Sequence, residues 1–251
     1  MYCTRMLTLR KKELLSSTTR YIMDQQCIIT TSTDFSTRPQ LCQFSKNVNA
    51  TATSTNETVI PEGPQGLKKL FIKMGFNKYR LMSLGYVMYG NIVDKLNYSA
   101  FYEVFKMPDT FFSWFLVTEL HVWMLMVRYM GEGKDGKLVR HNLVEAMWKD
   151  VDGRINKLGH ISSKIKKKQV LQLLAQFNTA LLDYDEGLLS DDKVLAGAIW
   201  RIFFCSECNN PEQVEQILIY VRKQISILDK ISSQQILCNS KFEWIDLRSV
   251  R

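Results

Sequence analysis

The sequence predicts an all-α protein, with a single globular domain of about eight helices after a disordered N-terminal extension. Beyond residue 64, apolar residues recur every three or four positions, as they do on the buried face of an amphipathic helix. No segment there alternates polar and apolar residues in the way that a half-buried strand does. Of the 251 residues, 46% are hydrophobic, which is enough for the core of one large domain.

The first 62 residues differ in composition from the rest of the chain. The opening 23 residues carry five Arg or Lys against one acid, Glu13, together with many hydroxyl side chains, as transit peptides do. Residues 30–58 are rich in Ser, Thr and Asn and contain too little apolar surface to offset the entropy of ordering. We therefore expect a transit peptide and disordered segment over 1–62, the helical domain over 63–238 and a C-terminal tail over 239–251. The alternative is a disordered extension with no targeting role.

Two helices are predicted before the first clear helix boundary. Residues 79–96 have helical apolar spacing, and Gly85 and Gly90 within them would let another helix approach closely. Asn97 is expected to turn the chain into a short helix. The tetrapeptide MPDT at 107–110 then ends that helix and starts the next one, with its Asp or Thr side chain as the N-cap.

The stretch FFSWFLVTELHVWMLMVRYM at 111–130 is the most apolar of the chain and predicts a buried central helix. Its twenty residues are enough to cross a bilayer. However, Glu119 and Arg128 would each cost about 2.5–3.5 kcal/mol within a membrane span. We expect these two side chains at the edge of the buried surface or paired with a neighbour. His121 has no triad or metal set nearby in the sequence, so we expect a hydrogen-bonded core residue.

The next segment, GEGKDGKL at 131–138, matches the phosphate-binding template G-x-x-x-x-G-K-[ST] up to its last position. A phosphate-binding loop follows a strand and ends in a hydroxyl residue that coordinates magnesium. Here a helix precedes the loop, and Leu138 holds the hydroxyl position. The segment therefore predicts a turn between antiparallel helices, with Gly131 in the left-handed position that ends the first one. The second of these helices is expected over 137–158.

Three further helices complete the predicted domain. Ser162 or Ser163 is expected to cap the first of them. Ser190 is expected to cap the second, DDKVLAGAIWRIFF, which is apolar nearly all round and is therefore predicted to be central. Asn210 and Pro211 begin the third, with proline at the first helical position.

The acidic segment DYDEGLLSDD at 183–192 is the first candidate site. Its carboxylates are Asp183, Asp185, Glu186, Asp191 and Asp192. A calcium loop of the EF type needs glycine at position 6 and glutamate at position 12, and counting from Asp183 these positions hold Leu188 and Val194. Asp191 and Asp192 are expected to complement the positive end of a helix. A metal or acid–base site that the other carboxylates form with a distant residue is the alternative.

A basic cluster is the second candidate site, and its members are Lys164, Lys166, Lys167 and Lys168, with Arg154 and Lys157 just upstream. Such a run is usually a solvated face, but it is also where RNA, an anionic lipid or an acidic protein would bind. The formal net charge of +8 allows an anionic partner without requiring one.

The sequence offers no complete catalytic or metal-binding motif. It contains neither G-x-S-x-G nor H-E-x-x-H. The C-x-x-C spacing of Cys205 and Cys208 lacks a second pair of ligands, so we interpret both as helix-end residues. We therefore expect no catalytic residue, no metal and no cofactor.

Two long stretches resemble a known family. MPDTFFSWFLVTELHVWMLMVR at 107–128 and LLDYDEGLLSDDKVLAGAIWRIFF at 181–204 are similar to signature stretches of the mitochondrial ubiquinol–cytochrome c chaperone family. EGKDGKLVRHNLVEAMWKDV and VEQILIYVRKQISILD resemble the same family. The resemblance spans residues 64–230 and extends towards Trp244.

The resemblance implies a non-enzymatic, all-α assembly factor of respiratory complex III that supports the synthesis, stability and assembly of cytochrome b. It implies a location on the matrix side of the mitochondrial inner membrane, with peripheral association with that membrane. The implied partners are newly synthesised cytochrome b, a small partner assembly factor and the mitochondrial ribosome. No catalytic residue or cofactor is carried over.

Three functions are therefore open from the sequence. In the first, the protein holds an apolar client helix, and the carboxylates at 183–192 form the polar rim of a partner-binding surface. The second is a metal-dependent all-α enzyme that uses the Asp183–Asp192 carboxylates. The third is a peripheral RNA- or membrane-binding module that uses Lys164–Lys168.

Overall fold

The computed structural model describes residues 65–157, 159, 162–238 and 242–250, and for residues 65–76 the backbone only. Within these residues the chain forms eight α-helices and one short 3-10 helix, with no strand, which confirms the all-α prediction. The transit peptide and disordered segment that we expect over 1–62 lie outside the described residues.

The elements follow one another with short connections. They are α1 (Gln65–Lys95), α2 (Tyr98–Phe105), α3 (Phe111–Met130), α4 (Gly133–Lys157), α5 (Ser163–Leu189), α6 (Asp192–Ile202), α7 (Pro211–Lys230), α8 (Ser233–Cys238) and the 3-10 helix (Leu247–Ser249).

The longest helix, α1, begins upstream of the predicted segment 79–96 and packs mainly against α4. At Gly85, an added Cβ atom would lie 2.6 Å from the Cβ of Asn142 and 2.7 Å from the carbonyl oxygen of Val139. No side chain fits at such distances, so the close helix approach predicted at Gly85 is confirmed. An added Cβ at Gly90 would have only a side-chain atom of its own helix within 4 Å, so the same prediction is wrong at Gly90.

Three helix starts are capped by side chains, and the caps at Thr110 and Asn210 agree with the helix starts that the sequence predicts. The side chains of Asn97, Thr110 and Asn210 each accept a hydrogen bond from a backbone N–H in the first turn of α2, α3 and α7. Ser162 precedes α5, although its hydroxyl makes no capping bond. The cap predicted at Ser190 is wrong, because α6 begins one residue later, after Asp191.

The connection between α3 and α4 is tighter than the sequence predicts. Only Gly131 and Glu132 separate the helices, and α4 begins at Gly133 rather than at residue 137. Gly131 has a right-handed backbone, with φ −69° and ψ −13°, so the left-handed position predicted there is wrong. The left-handed residue is Gly133, with φ 56°, because the chain reverses two residues later than expected.

The central helix of the domain is α3. It packs against α1, α2, α4, α5 and α7. It is long and apolar enough to cross a membrane, but 83% of its most apolar window is buried inside the domain. The prediction of a buried central helix at 111–130 is therefore confirmed.

The two charged side chains of α3 have different environments. Arg128 pairs with Glu132 at 2.6 Å and donates hydrogen bonds to the carbonyl oxygens of Leu228 and Ile231, as the expected pairing requires. Glu119 is fully buried, and its carboxylate has no well-formed hydrogen bond within the described residues. Its expected position at the edge of the core is therefore wrong, since α3 is surrounded there by other helices.

The segment after α8 packs onto the core rather than extending from it. Its buried side chains are Phe242, Leu247 and Val250. The indole of Trp244 lies edge-on to the ring of His121, with 4.8 Å between centroids, and donates a hydrogen bond to the carbonyl oxygen of Asn91. The described part of the segment 239–251, which we expect as a tail, thus joins α1 to α3.

Candidate functional site

The only histidine of α3, His121, is a structural residue of the core. Its Nδ1 lies 2.6 Å from the carbonyl oxygen of Val117, so Nδ1 carries the proton, and its Nε2 accepts from the Tyr220 hydroxyl at 2.8 Å. Burial lowers the pKa of His121 to about 4, although the bond to Val117 opposes the shift. The ring is therefore neutral at pH 7 with both nitrogens engaged, which confirms the prediction of a hydrogen-bonded core residue.

Three of the five candidate carboxylates lie on α5, which continues to Leu189. Asp185 is buried and accepts a hydrogen bond from the indole N–H of Trp123 at 2.8 Å, which ties α5 to α3. Asp183 pairs with Arg201 of α6 at 3.0 Å. Glu186 is exposed. These side chains therefore point to three different environments and do not converge on one point.

The other two carboxylates belong to the start of α6. Asp191 occupies the N-cap position, and Asp192 is in the first turn, where an acid complements the positive end of the helix as expected. Asp192 also pairs with Arg222 of α7 at 2.9 Å. Arg222 also donates hydrogen bonds to the carbonyl oxygens of Leu188 and Ser190. One guanidinium therefore stabilises the connection between α5 and α6.

The metal-enzyme alternative gains no support from this arrangement. Among the described residues, no three His, Cys, Asp or Glu side chains are grouped so that they could hold a metal ion. The acidic segment instead contributes one buried hydrogen bond and two ion pairs between helices, and Glu186 faces solvent.

The four lysines stand at the opposite end of α5 from the carboxylates. Lys164, Lys167 and Lys168 are exposed. Lys166 is half-buried and donates to the side-chain oxygen of Asn156 on α4 at 2.9 Å. The lysines and the three carboxylates of α5 therefore lie about 30 Å apart along one helix.

A continuous exposed stripe of α5 joins the two clusters. Its members recur every three or four residues and so lie on one face of the helix. They are Lys164, Lys168, Leu171, Ala175, Thr179, Leu182 and Glu186. Leu171 is 46% and Leu182 42% exposed, which gives the stripe an apolar centre between a basic and an acidic end. We call this surface the α5 stripe.

The charges of the α5 stripe do not serve the stability of the helix. The first turn of α5 has no acid and the last turn has no base. Lysines near a helix N-terminus and an acid near its C-terminus oppose the macrodipole, typically by 0.3–1 kcal/mol each. Lys164 and Lys168, four residues apart, also repel each other. Residues that oppose local stability in this way are typical of a binding surface.

The sequence pattern did not single out the apolar centre of the α5 stripe. Val170, Leu174, Phe177 and Leu181 form the predicted core face of this helix, and all four are buried or partly buried. Leu171 and Leu182 each follow one of these core positions, so that they broaden the apolar pattern. This wider apolar face is the sequence signal for Leu171 and Leu182. It does not show that they are exposed, because an apolar residue beside a core stripe can itself be buried.

The fold places the protein in the class of all-α domains. Within that class the chain belongs to the ubiquinol-cytochrome C chaperone family, whose sequence profile matches residues 103–244. This match confirms the resemblance seen in the sequence, and it extends beyond α8 to Trp244.

Relatives in animals and yeast support the same membership. The chain is 43% identical over 208 residues to ubiquinol-cytochrome c reductase complex assembly factor 1 of Drosophila melanogaster, covering 80% of this chain and 79% of the relative. It is 34% identical over 238 residues to the Mus musculus protein of the same name, covering 91% of this chain and 80% of the relative. Protein CBP3, mitochondrial, of Saccharomyces cerevisiae is 31% identical over 148 residues, covering 58% of this chain and 44% of the relative.

A solved structure shares the fold. The crystal structure of the Cbp3 homolog from Brucella abortus superposes with a TM-score of 0.59 at 20% identity, covering 74% of this chain and 99% of the other. At this identity the likeness concerns the fold alone.

Proposed function

We propose that this protein is a mitochondrial assembly chaperone of the ubiquinol–cytochrome c reductase complex, that is, respiratory complex III. The observation that carries the proposal is the identity, over most of both chains, with relatives named as assembly factors of that complex. We propose further that it acts without catalysis on newly synthesised cytochrome b. Its location is then the matrix side of the inner membrane, with the mitochondrial ribosome as the source of the client.

The α5 stripe is the surface that we assign to the small partner assembly factor. Leu171 and Leu182 lie eleven residues apart, or about three turns, so both can contact one apolar face of a partner helix. Lys164 and Lys168 at one end and Glu186 at the other then fix the direction in which that helix lies, since reversal would bring like charges together.

The role in assembly is tested by deletion. Cells that lack the protein should lose assembled complex III and newly made cytochrome b, while the other respiratory complexes that contain no cytochrome b should still assemble. Native gels and pulse-labelling of mitochondrial translation products measure both quantities. Normal levels of complex III and of cytochrome b would overturn the proposal.

The α5 stripe is tested with a double substitution of its apolar centre. Leu171→Asp with Leu182→Asp should weaken co-purification of the partner factor by at least about tenfold. The reason is that each new carboxylate would have to be buried against the apolar face of the partner helix. The matched control is Ile227→Asp on α7, whose side chain is 40% exposed, close to the exposure of the two leucines. Circular dichroism should show unchanged folding of all variants. Wild-type partner binding by the folded double variant would assign the partner to another surface.

A further inference from the structure

A cleft of about 460 Å³ lies where α2, α3 and the C-terminal end of α4 meet. This volume is in the range of small-ligand sites. Its walls and rim include Tyr98, Tyr102, Asp109, Phe111, Trp114, Arg154 and Lys157. We call it the α3 cleft. Its lining combines aromatic rings with charges of both signs, a combination that the core of a helical domain does not require.

The guanidinium of Arg154 is held in place so that part of it remains available. Its Nε donates to both carboxylate oxygens of Asp150, each at 3.1 Å, and its central carbon lies 4.0 Å from the ring centroid of Trp114. Both contacts fix the plane of the group, and neither uses the two terminal nitrogens. An oriented guanidinium whose two NH₂ groups bond to no described residue suits the bidentate binding of an oxyanion.

Lys157 is the second cation of the α3 cleft. Its side chain is exposed, and no ion pair joins it to an acid among the described residues. A lysine ammonium beside an oriented guanidinium favours a bound anion.

The rim of the α3 cleft also provides a site for an amine. Asp109 is exposed and stands just before α3, opposite in charge to Arg154 and Lys157. A quaternary ammonium group has no N–H to donate to the Asp109 carboxylate. A primary amine, which can donate hydrogen bonds to a carboxylate, fits Asp109 better. The cleft thus matches a ligand with a phosphate and a primary amine.

The surface beside the cleft points to a lipid as the source of that ligand. Phe112, the second residue of α3, is 42% exposed, and Lys106 lies exposed on the chain just before. Aromatic and lysine side chains together are typical of surfaces that sit at the headgroup level of a membrane. Phe112 can enter the acyl region while a headgroup occupies the cleft.

We propose that the α3 cleft binds the ethanolamine-phosphate headgroup of a membrane phospholipid, with the phosphate at Arg154 and Lys157 and the amine at Asp109. The inference rests on the location at the inner membrane that is part of the proposed function, and it specifies the lipid. It is distinct from the lysine cluster at the start of α5, which would bind any anionic surface.

Vesicle flotation of the full chain tests the proposal. Phosphatidylcholine vesicles with phosphatidylethanolamine should carry the protein, and vesicles of phosphatidylcholine alone should carry much less. Lys157→Gln and Asp109→Asn should each weaken binding to the ethanolamine vesicles about fivefold, the effect of losing one hydrogen bond to the headgroup. Lys134→Gln is the matched control, because this exposed lysine lies at the other end of α4 and should leave binding unchanged.

Three outcomes would overturn the proposal. The first is wild-type binding by both Lys157→Gln and Asp109→Asn. The second is binding that requires anionic phosphatidylglycerol and is lost in Lys168→Gln, which would assign the membrane to the lysine cluster. The third is binding of soluble glycerophosphoethanolamine without binding of vesicles, which would assign the cleft to a free metabolite. None of these results alters the loss of complex III expected on deletion, so the two proposals fail separately.

Discussion

Two buried side chains of α3 make opposite contributions to the pH dependence of stability. Burial raises the pKa of Glu119 to about 8, and a hydrogen-bonding contribution from Gln176 only partly offsets this. The folded state therefore keeps a proton that the unfolded state releases, and stability falls as pH rises from 4.5 to 8. The lowered pKa of His121 acts in the other direction, since stability is lost as pH falls from 6.5 to about 4.

Glu119→Gln should therefore stabilise the protein at alkaline pH. The gain over wild type should be small near pH 5 and should grow to the order of a few kcal/mol at pH 8, where the wild-type carboxyl has to ionise in the core. Thermal unfolding at both pH values measures the difference.

The matched control for this substitution is Glu215→Gln on α7, which changes an exposed carboxyl. That variant should unfold like wild type at both pH values. A Glu119→Gln variant whose difference from wild type does not change between pH 5 and pH 8 would contradict an ionisation penalty at Glu119.

At the scale of the elements, the domain depends on where helices can approach. Gly85 lies against the backbone of α4, and Gly187 of α5 lies against α6, where an added Cβ atom would be 2.7 Å from the Cα of Leu195. Both glycines are buried. Their role is to allow contact of two helix backbones rather than to provide an unusual backbone conformation, since neither has a positive φ.

Gly85→Ala and Gly90→Ala should change stability in opposite directions although both lie within α1. The first should cost about 1–3 kcal/mol, because the methyl group has to displace α4. The second should stabilise by about 0.5–1 kcal/mol, because alanine in an open helix position loses less backbone entropy on folding. Urea denaturation of both variants measures the two free energies. Equal effects of the two substitutions would contradict the packing of α1 against α4.

At the scale of the whole molecule, the C-terminal segment closes the domain. Trp244 contacts the ring of His121 on the central helix and bonds to the backbone of α1, and Gln224 of α7 accepts from the backbone N–H of Ile245. Trp244 and Ile245 thus contact three helices, α1, α3 and α7, that are far from them in sequence. The family match, which reaches Trp244, is consistent with this segment being part of the domain.

Trp244→Ala should lower the free energy of unfolding by about 2–3 kcal/mol, somewhat less than the loss of a fully buried tryptophan. Chemical denaturation followed by circular dichroism measures it. Glu243→Ala, which changes the exposed neighbouring residue, should have little effect. If the tryptophan variant were as stable as wild type, the segment would not be packed on the core in solution.

The elements were largely predictable because each helix carries its own local signals. The helix starts at Thr110 and Asn210 and the apolar character of α3 follow from neighbouring residues alone. The site was less predictable. The pattern identified the charged ends of the α5 stripe but not Leu171 and Leu182 between them, because exposure depends on which other helices cover a face.

By itself, the sequence determined the all-α class, the order of the helices and the family, since these depend on local periodicity and on long matching stretches. Only the tertiary structure decided which charges are buried, paired or free. Asp185 and Glu186 are neighbours in one acidic segment, yet the first is a buried partner of Trp123 and the second faces solvent. The physical reason is that consecutive residues of a helix point about 100° apart, so packing of the helix on one side separates their roles.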